Sequence, residues 1–337
     1  MSNLRFVKYF TGGKLVWPVA SLVLLLLFNL LYQPGFFRLT LQDGHLYGTL
    51  VDILNQGSKV MLLSLGMTLV IATGGVDLSV GSVMAIAGAL AALLVVNAHW
   101  GFALTLPVCL LAGAALGAWN GMLVTWLRIQ PIIATLILMV VGRGIAMLLT
   151  SGQVVNFENP AFVYLGNGHF LAVPFTVTLV VLMFAASAVF TRKTAVGLFV
   201  EAAGDNETAS RFCGAPTRLV KVLVYAFSGV CASLAGLIAA SNIKAADPSR
   251  IGELLELDAI FAVVVGGTAL TGGRFTLVGS IVGALLIQTL TTTMVNLGMP
   301  PAIAPVPKAV VIVLACLLQS PLFRAGITGM FHKKAAA

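Results

Sequence analysis

Runs of about twenty apolar residues, parted by short polar turns, recur along the whole chain, and no other feature constrains its fold as tightly. A helix of that length crosses the hydrocarbon core of a bilayer, where each backbone N–H and C=O must be paired within the segment. Ten runs are read: 14–33, 50–73, 78–97, 100–127, 131–151, 171–190, 217–242, 257–270, 275–298 and 302–320. Charged residues make up 9% of the chain and hydrophobic ones 59%, against roughly 25% charged in soluble domains. That supply cannot cover a water-facing surface. The expected fold class is an all-α integral membrane protein, one polytopic domain over 1–337 with about ten transmembrane helices.

The first run follows a basic start and could pass for a signal peptide. The chain continues as YQPGFF with no small-residue cleavage site, so it reads as an uncleaved first span. The eighth run is too short for a full crossing and reads as a half-helix or re-entrant segment. Thirteen of the nineteen Lys and Arg residues fall on the termini and alternate connections, against Arg38, Lys244 and Arg250 on the opposite set. The excess marks the cytoplasmic side and puts both termini there. Lys59 and Lys308 lie near the outer ends of their runs and read as snorkelling to the headgroups. Arg143 is mid-run and should face a helix C-terminus, a carbonyl cluster or an acid. In 50–73, Asp52, Asn55, Gln56, Gly57, Ser58 and Lys59 precede the apolar half. This reads as a helix broken near Gly57–Ser58, a feature that lines cavities in transporters.

TGGVDLSVGS at 73–82 returns as TGGRFTLVGS at 271–280, with six identities when 73–90 is laid over 271–288. Two structural halves follow, about 45–151 and 217–320, as in many transporters; the alternative is a chance likeness between two glycine-rich membrane loops. The glycines and serines kept in both copies serve geometry: tight turns, positive φ and close helix approach. Asp77 falls opposite Phe275, so the turn itself needs no carboxylate. Asp77 reads either as a cap for the next helix or as a polar contact on a translocation path. Both copies fall on cytoplasmic connections, so the halves are parallel unless one segment fails to cross.

The longest polar loop, 191–216, is read as cytoplasmic. Within it a short helix over Asn206–Phe212 is predicted, capped by Asn206 and bracketed by Gly204 and Gly214. Phe199, Val200, Phe212 and Cys213 are more apolar than a free linker needs, which favours a docking element. A P-loop string is absent, so nucleotide hydrolysis would belong to a partner. No Ser/His/Asp or Cys/His arrangement points to catalysis, and the chain is read as a non-enzyme with no cofactor. The four Cys and four His are scattered without metal-ligand spacing. A net charge of +8 without a basic stripe and interleaved aromatics argues against nucleic acid; lipids are the expected solvent.

GMTLVIATGGVDLSVGSVMAIAGA (66–89), EAAGDNETASRFCGA (201–215) and LELDAIFAVVVGG (255–267) resemble the permease subunits of ribose/galactose-type monosaccharide ABC importers, and the likeness runs over roughly 45–320. Within that family, LQDGHLYGTLVDILN (41–55), LRIQPIIATLILMVVGRGIAMLLTSGQ (127–153) and TRKTAVGLFVEAAG (191–204) look most similar to the galactofuranose branch. The resemblance implies a type II-like permease in the bacterial inner membrane, working by alternating access. It implies a second permease subunit (a heterodimer in that branch, a homodimer in others), a cytoplasmic ABC ATPase and a periplasmic sugar-binding protein. The family's ATPase-coupling helix maps onto Glu201, Gly204, Asp205, Asn206, Ala209, Arg211 and Gly214. Glu207-Thr208-Ala209 stands where family members often have Ala-Ala after the Asn. A sugar path needs sparse donors and acceptors on apolar walls. The candidates are Asn55, Gln56, Thr68, Asp77, Ser79, Asn120, Gln288, Thr292 and Asn296, each also explicable by helix packing. The rival is an ion-coupled secondary transporter, which needs acids at the midplane; no acid is clearly central. A channel would need a repeated polar ring, and none is visible.

Overall fold

The computed structural model describes residues 15–42, 44–300, 303 and 305–319. The helices are α1 (Val16–Tyr32), α2 (Thr49–Ala72), α3 (Val80–Ala92), α4 (Phe102–Thr125), α5 (Pro131–Leu149), α6 (Pro160–Asn167), α7 (Phe175–Lys193), α8 (Ala195–Asp205), α9 (Glu207–Phe212), α10 (Thr217–Ile243), α11 (Leu255–Val265), α12 (Leu277–Asn296) and α13 (Pro305–Gln319). A π-helical turn, Leu93–Asn97, extends α3. Seven of these are long and apolar enough to cross a membrane: α2, α3 with its extension, α4, α5, α7, α10 and α12.

Among the described residues, the other three of the ten expected spans are not confirmed as full crossings. The helices α1, α11 and α13 have 17, 11 and 15 residues, short of the roughly 20 a full crossing needs. The basic residues before Leu15 and after Gln319, on which the reading of both termini partly rests, lie outside the described residues.

The predicted break in 50–73 is absent: α2 runs unbroken for 24 residues. Asn55, Gln56, Ser58 and Lys59 are paired without one. Ser58 Oγ donates to Asn55 O at 2.6 Å, Lys59 Nζ to Gln56 Oε1 at 2.7 Å, and Thr176 Oγ1 on α7 to Asn55 Oδ1 at 2.8 Å. Gly57 marks close approach instead, since a Cβ there would stand 3.1 Å from Gln288 Cγ on α12.

Burial sorts the helices. The central ones are α2, α3 and α10, while α4, α5 and α7 turn most of their apolar side chains outward. Leu111, Val140, Leu148 and Leu182 are all exposed. An apolar exterior around a close-packed centre is what a lipid solvent favours. With hydrocarbon on both sides of the contact, packing replaces the hydrophobic effect as the adhesive, and small residues let backbones meet. On α4, Gly113, Gly117 and Gly121 face α10 so closely that a Cβ on any of them would overlap its backbone or Ser233. The main core joins Leu62, Leu63 and Met67 of α2 to Met84, Leu237, Ile238 and Leu286.

Three two-stranded pairings sit where α2 and α7 begin and α5 and α10 end. They are β1 (Thr40–Gln42) with β2 (His45–Tyr47), β3 (Val155–Asn156) with β6 (Ala245–Ala246), and β4 (His169–Phe170) with β5 (Val173–Pro174), all antiparallel. Asn29 ties α1 to the bundle, its Nδ2 donating to Thr293 Oγ1 on α12 at 2.8 Å.

Candidate functional site

Two places stand out, at opposite ends of α2. Near its start opens a cavity of about 780 Å³ between α2, α10, α11, α12 and α13. Gln56, Lys59 and Gln288 line it beside Arg250, Asp258 and Lys308. Lys308 does not snorkel: its Nζ pairs with both carboxylate oxygens of Asp258 on α11, at 2.8 and 3.1 Å. Lys59 likewise turns to Gln56 at the cavity wall. The segment 247–254 leads into α11. Against the desolvation that raises it, the Ser249 hydroxyl and the N–H groups of Ser249 and Arg250 hold the Asp247 carboxyl below its ordinary value. Arg143, on α5, donates from Nη1 to Pro248 O at 2.9 Å and Ile251 O at 2.7 Å, the carbonyl cluster its position called for. Glu256, which sequence reading passed over, is buried where α11 meets Gly81 of α3.

At the far end of α2 the two glycine loops meet. Gly273 N–H donates to Ala72 O at 3.0 Å, joining the second copy to the first. Gly74, Gly272 and Gly273 have φ of +80°, +86° and +86°, a region where a side chain is strained. The paired serines bridge outward. Ser82 Oγ lies 3.1 Å from Leu138 O on α5, and Thr68 and Ser280 share a hydroxyl–hydroxyl bond of 2.6 Å between α2 and α12. Asp77 is buried: Ser79 N and Oγ donate to its Oδ1 at 3.1 and 2.6 Å, and Ser228 Oγ on α10 donates to Oδ2 at 2.9 Å. Asn120 Nδ2 on α4 donates to Ser79 Oγ at 2.9 Å. In the second copy Phe275 packs instead against the apolar cluster of Leu65, Leu69, Val200 and Val224.

The nine path candidates are thus divided. Gln56 and Gln288 reach the cavity; Gln288 also lies 3.4 Å from Thr292 Oγ1. Asn55 faces α7, and Asn296, exposed, donates to Gln33 at 3.2 Å. Thr68, Asp77, Ser79 and Asn120 are buried among other helices, the last three in one network.

The segment 191–216 is helical, not a loop. Thr194 accepts from Val196 N to start α8, and α8 buries Val200 and Ala203. Asn206 Oδ1 accepts from Ala209 N at 2.9 Å and caps α9, as predicted. Gly214, at φ +84°, ends it. Ser210 Oγ donates to Ala202 O at 2.7 Å, folding α9 back on α8. Glu207, the departure after Asn206, pairs with Lys221 at 2.6 Å. Glu201, Asp205, Asn206, Ala209 and Arg211 remain exposed, and Phe212 is 89% exposed. Gly204 meets the glycine loops: a Cβ on it would overlap Ala72 O and Gly273 N.

A bundle of apolar helices around a close-packed centre, with a mostly apolar cavity bearing a few polar and charged groups at one end and an exposed helical hairpin at the other, is a multi-pass membrane protein of the transport class. The chain belongs to the family described as branched-chain amino acid transport system / permease component, which matches residues 49–317, and is a transport component, not an enzyme. It is 48% identical to the galactofuranose transporter permease protein YtfT of Escherichia coli K12, over 93% of each chain. It is 38% identical to the fructose import permease protein FruF of Bifidobacterium longum, over 98% of this chain and 94% of that one. The ribose import permease protein RbsC of E. coli K12 is also 38% identical, over 93% and 96%. No solved structure matches significantly.

Proposed function

We propose that this chain is the permease subunit of an ABC importer that moves a monosaccharide, galactofuranose first among the candidates, across the bacterial inner membrane by alternating access. The observation that carries the reading is the exposed, capped α9 with Phe212 at its tip, at the end of α2 away from the cavity. A helix that holds itself together and leaves a large aromatic bare is built for a partner's pocket. Both termini and the segment 201–214 lie on the cytoplasmic side, and that segment, α9 with the end of α8, docks a separate ATPase through Glu201, Gly204, Asp205, Asn206, Ala209, Arg211 and Gly214. A periplasmic sugar-binding protein delivers substrate to the cavity end, and a second permease, a related chain rather than a copy, completes the pathway. The chain is one membrane domain of two repeat-related halves.

On the path, the carboxamides of Gln56 and Gln288 meet sugar hydroxyls at the cavity, with Asn55, Thr292 and Asn296 on the same half of the bundle. Thr68, Asp77, Ser79 and Asn120 are its fixed frame. The binding protein supplies selectivity, so the cavity need only be weakly adhesive. Support for the substrate comes from the galactofuranose permease at 48% identity, set against ribose and fructose permeases at 38%. Uptake in proteoliposomes with labelled galactofuranose, ribose and fructose offered in turn tests it. Galactofuranose should be taken up at least tenfold faster than the others; equal rates, or a preference for ribose, would reassign the sugar.

A further inference from the structure

Three backbone segments meet at the end of α8 with almost no side chain between them. Ala72 closes α2, Gly272–Gly273 belongs to the second glycine loop, and Gly204 stands in the last turn of α8. The Gly273 N–H donates to Ala72 O at 3.0 Å. A Cβ on Gly204 would overlap both of those atoms. A Cβ on Gly272 would stand 2.9 Å from Gly74 N and 3.0 Å from Gly204 O, and one on Gly273 would stand 3.4 Å from Asp205 Cα. Backbone in direct contact moves as a unit, because no flexible side chain lies between to absorb a displacement.

Each segment then leads to a different helix. The first loop runs through Asp77 into α3, with Ser228 and Asn120 binding α10 and α4 to the same knot. The second runs through Thr276, whose Oγ1 donates to Gly266 O at 3.1 Å, into α12. On the other side, α8 carries α9 through the Ser210–Ala202 bond. From this we infer that Gly204, Gly272 and Gly273 form a transmission joint, which takes one displacement of α8–α9 and passes it to α3 and α12 together. The joint rests on the import reading above, since it needs a partner to push on α9. It assigns Gly272 and Gly273 a positioning role in coupling, distinct from contact with the ATPase, and gives Gly204 that role in addition to its place in the docking segment.

The test reads sugar transported per ATP hydrolysed, in proteoliposomes holding the full assembly, for the unmodified chain and for Gly204→Ala, Gly272→Ala and Gly273→Ala. Two of the three sit on the membrane loop and not in the docking segment. The joint predicts that the two loop variants keep ATP hydrolysis within about twofold while the transport ratio falls tenfold or more; Gly204→Ala, inside the docking segment, should lose the ratio as well. An unchanged ratio in the two loop variants overturns it. So does a loss of their hydrolysis in step with transport. Failure of all three to assemble also overturns it, because the glycines would then be folding elements only. If the unmodified assembly shows no ATP-driven uptake, the import reading itself has failed, and the joint with it.

Discussion

At the residue scale, Arg143 and Asp77 show how a bilayer-embedded chain handles charge. Arg143 donates to two carbonyls of the segment 247–254. Hydrogen bonds from a charged donor contribute about 1.5–3 kcal/mol each, and buried acceptors left bare cost comparably. Arg143→Leu should therefore destabilise the protein by about 3 kcal/mol or more, read as a lower melting temperature in detergent, with Arg143→Lys recovering part of the loss. Equal melting temperatures for the Leu variant and the parent would show that the contacts contribute nothing. The mid-run position of Arg143 made this partner class legible, because an arginine far from either interface needs acceptors inside the bundle. Asp77 was only half legible. Its acceptance from Ser79 N is a local contact just ahead of α3, where the sequence offered a helix cap, but its reach to Ser228, 151 residues away, is tertiary. Asp77→Ala would remove the acceptor to which the Ser79 and Ser228 hydroxyls donate, at about 1–3 kcal/mol each. A double-mutant cycle with Ser228→Ala should return a coupling energy of about 1 kcal/mol or more, and a value near zero would deny the contact.

At the element scale, the cap of α9 could be read in advance because Asn206 acts within three residues of itself. The helix α8 could not. Its apolar residues were noticed, but their partners in α2, α10 and α12 come from tertiary packing. The false break in α2 has the same root. A polar stretch beside a glycine resembles an unwound turn, yet Asn55, Gln56, Ser58 and Lys59 find partners within one turn or on a neighbouring helix. Asn206→Ala should weaken α9 by about 1 kcal/mol, visible as faster amide exchange confined to 206–213. Phe212→Ala, at an exposed site, should change stability by no more than about 0.5 kcal/mol. Its loss from a partner's pocket should cost about 2 kcal/mol of ATPase affinity, roughly thirtyfold. Unchanged affinity on titrating the ATPase would remove α9 from the docking face.

At the scale of the whole molecule, apolar runs located every helix that approaches membrane length, because bilayer thickness leaves little choice. Run length alone left α1 and α13 unconfirmed as full crossings among the described residues, while the short α11 fits the half-helix its run suggested. The repeat proved more informative than any run. Its glycines mark where two loops 198 positions apart touch each other and the end of α8, and no periodicity within one segment could have placed them together. A cavity and the glycine-loop contact lie at opposite ends of α2. The central claim is that ATP hydrolysed by a partner drives sugar through this chain. The most direct measurement is sugar uptake by proteoliposomes containing this chain, its second permease and the ATPase, with binding protein outside. ATP would be sealed inside in one arm; a proton or sodium gradient would replace it in the other. The account predicts uptake with ATP and none with either gradient alone. Uptake that follows a gradient and ignores ATP would contradict it and make the chain an ion-coupled secondary transporter.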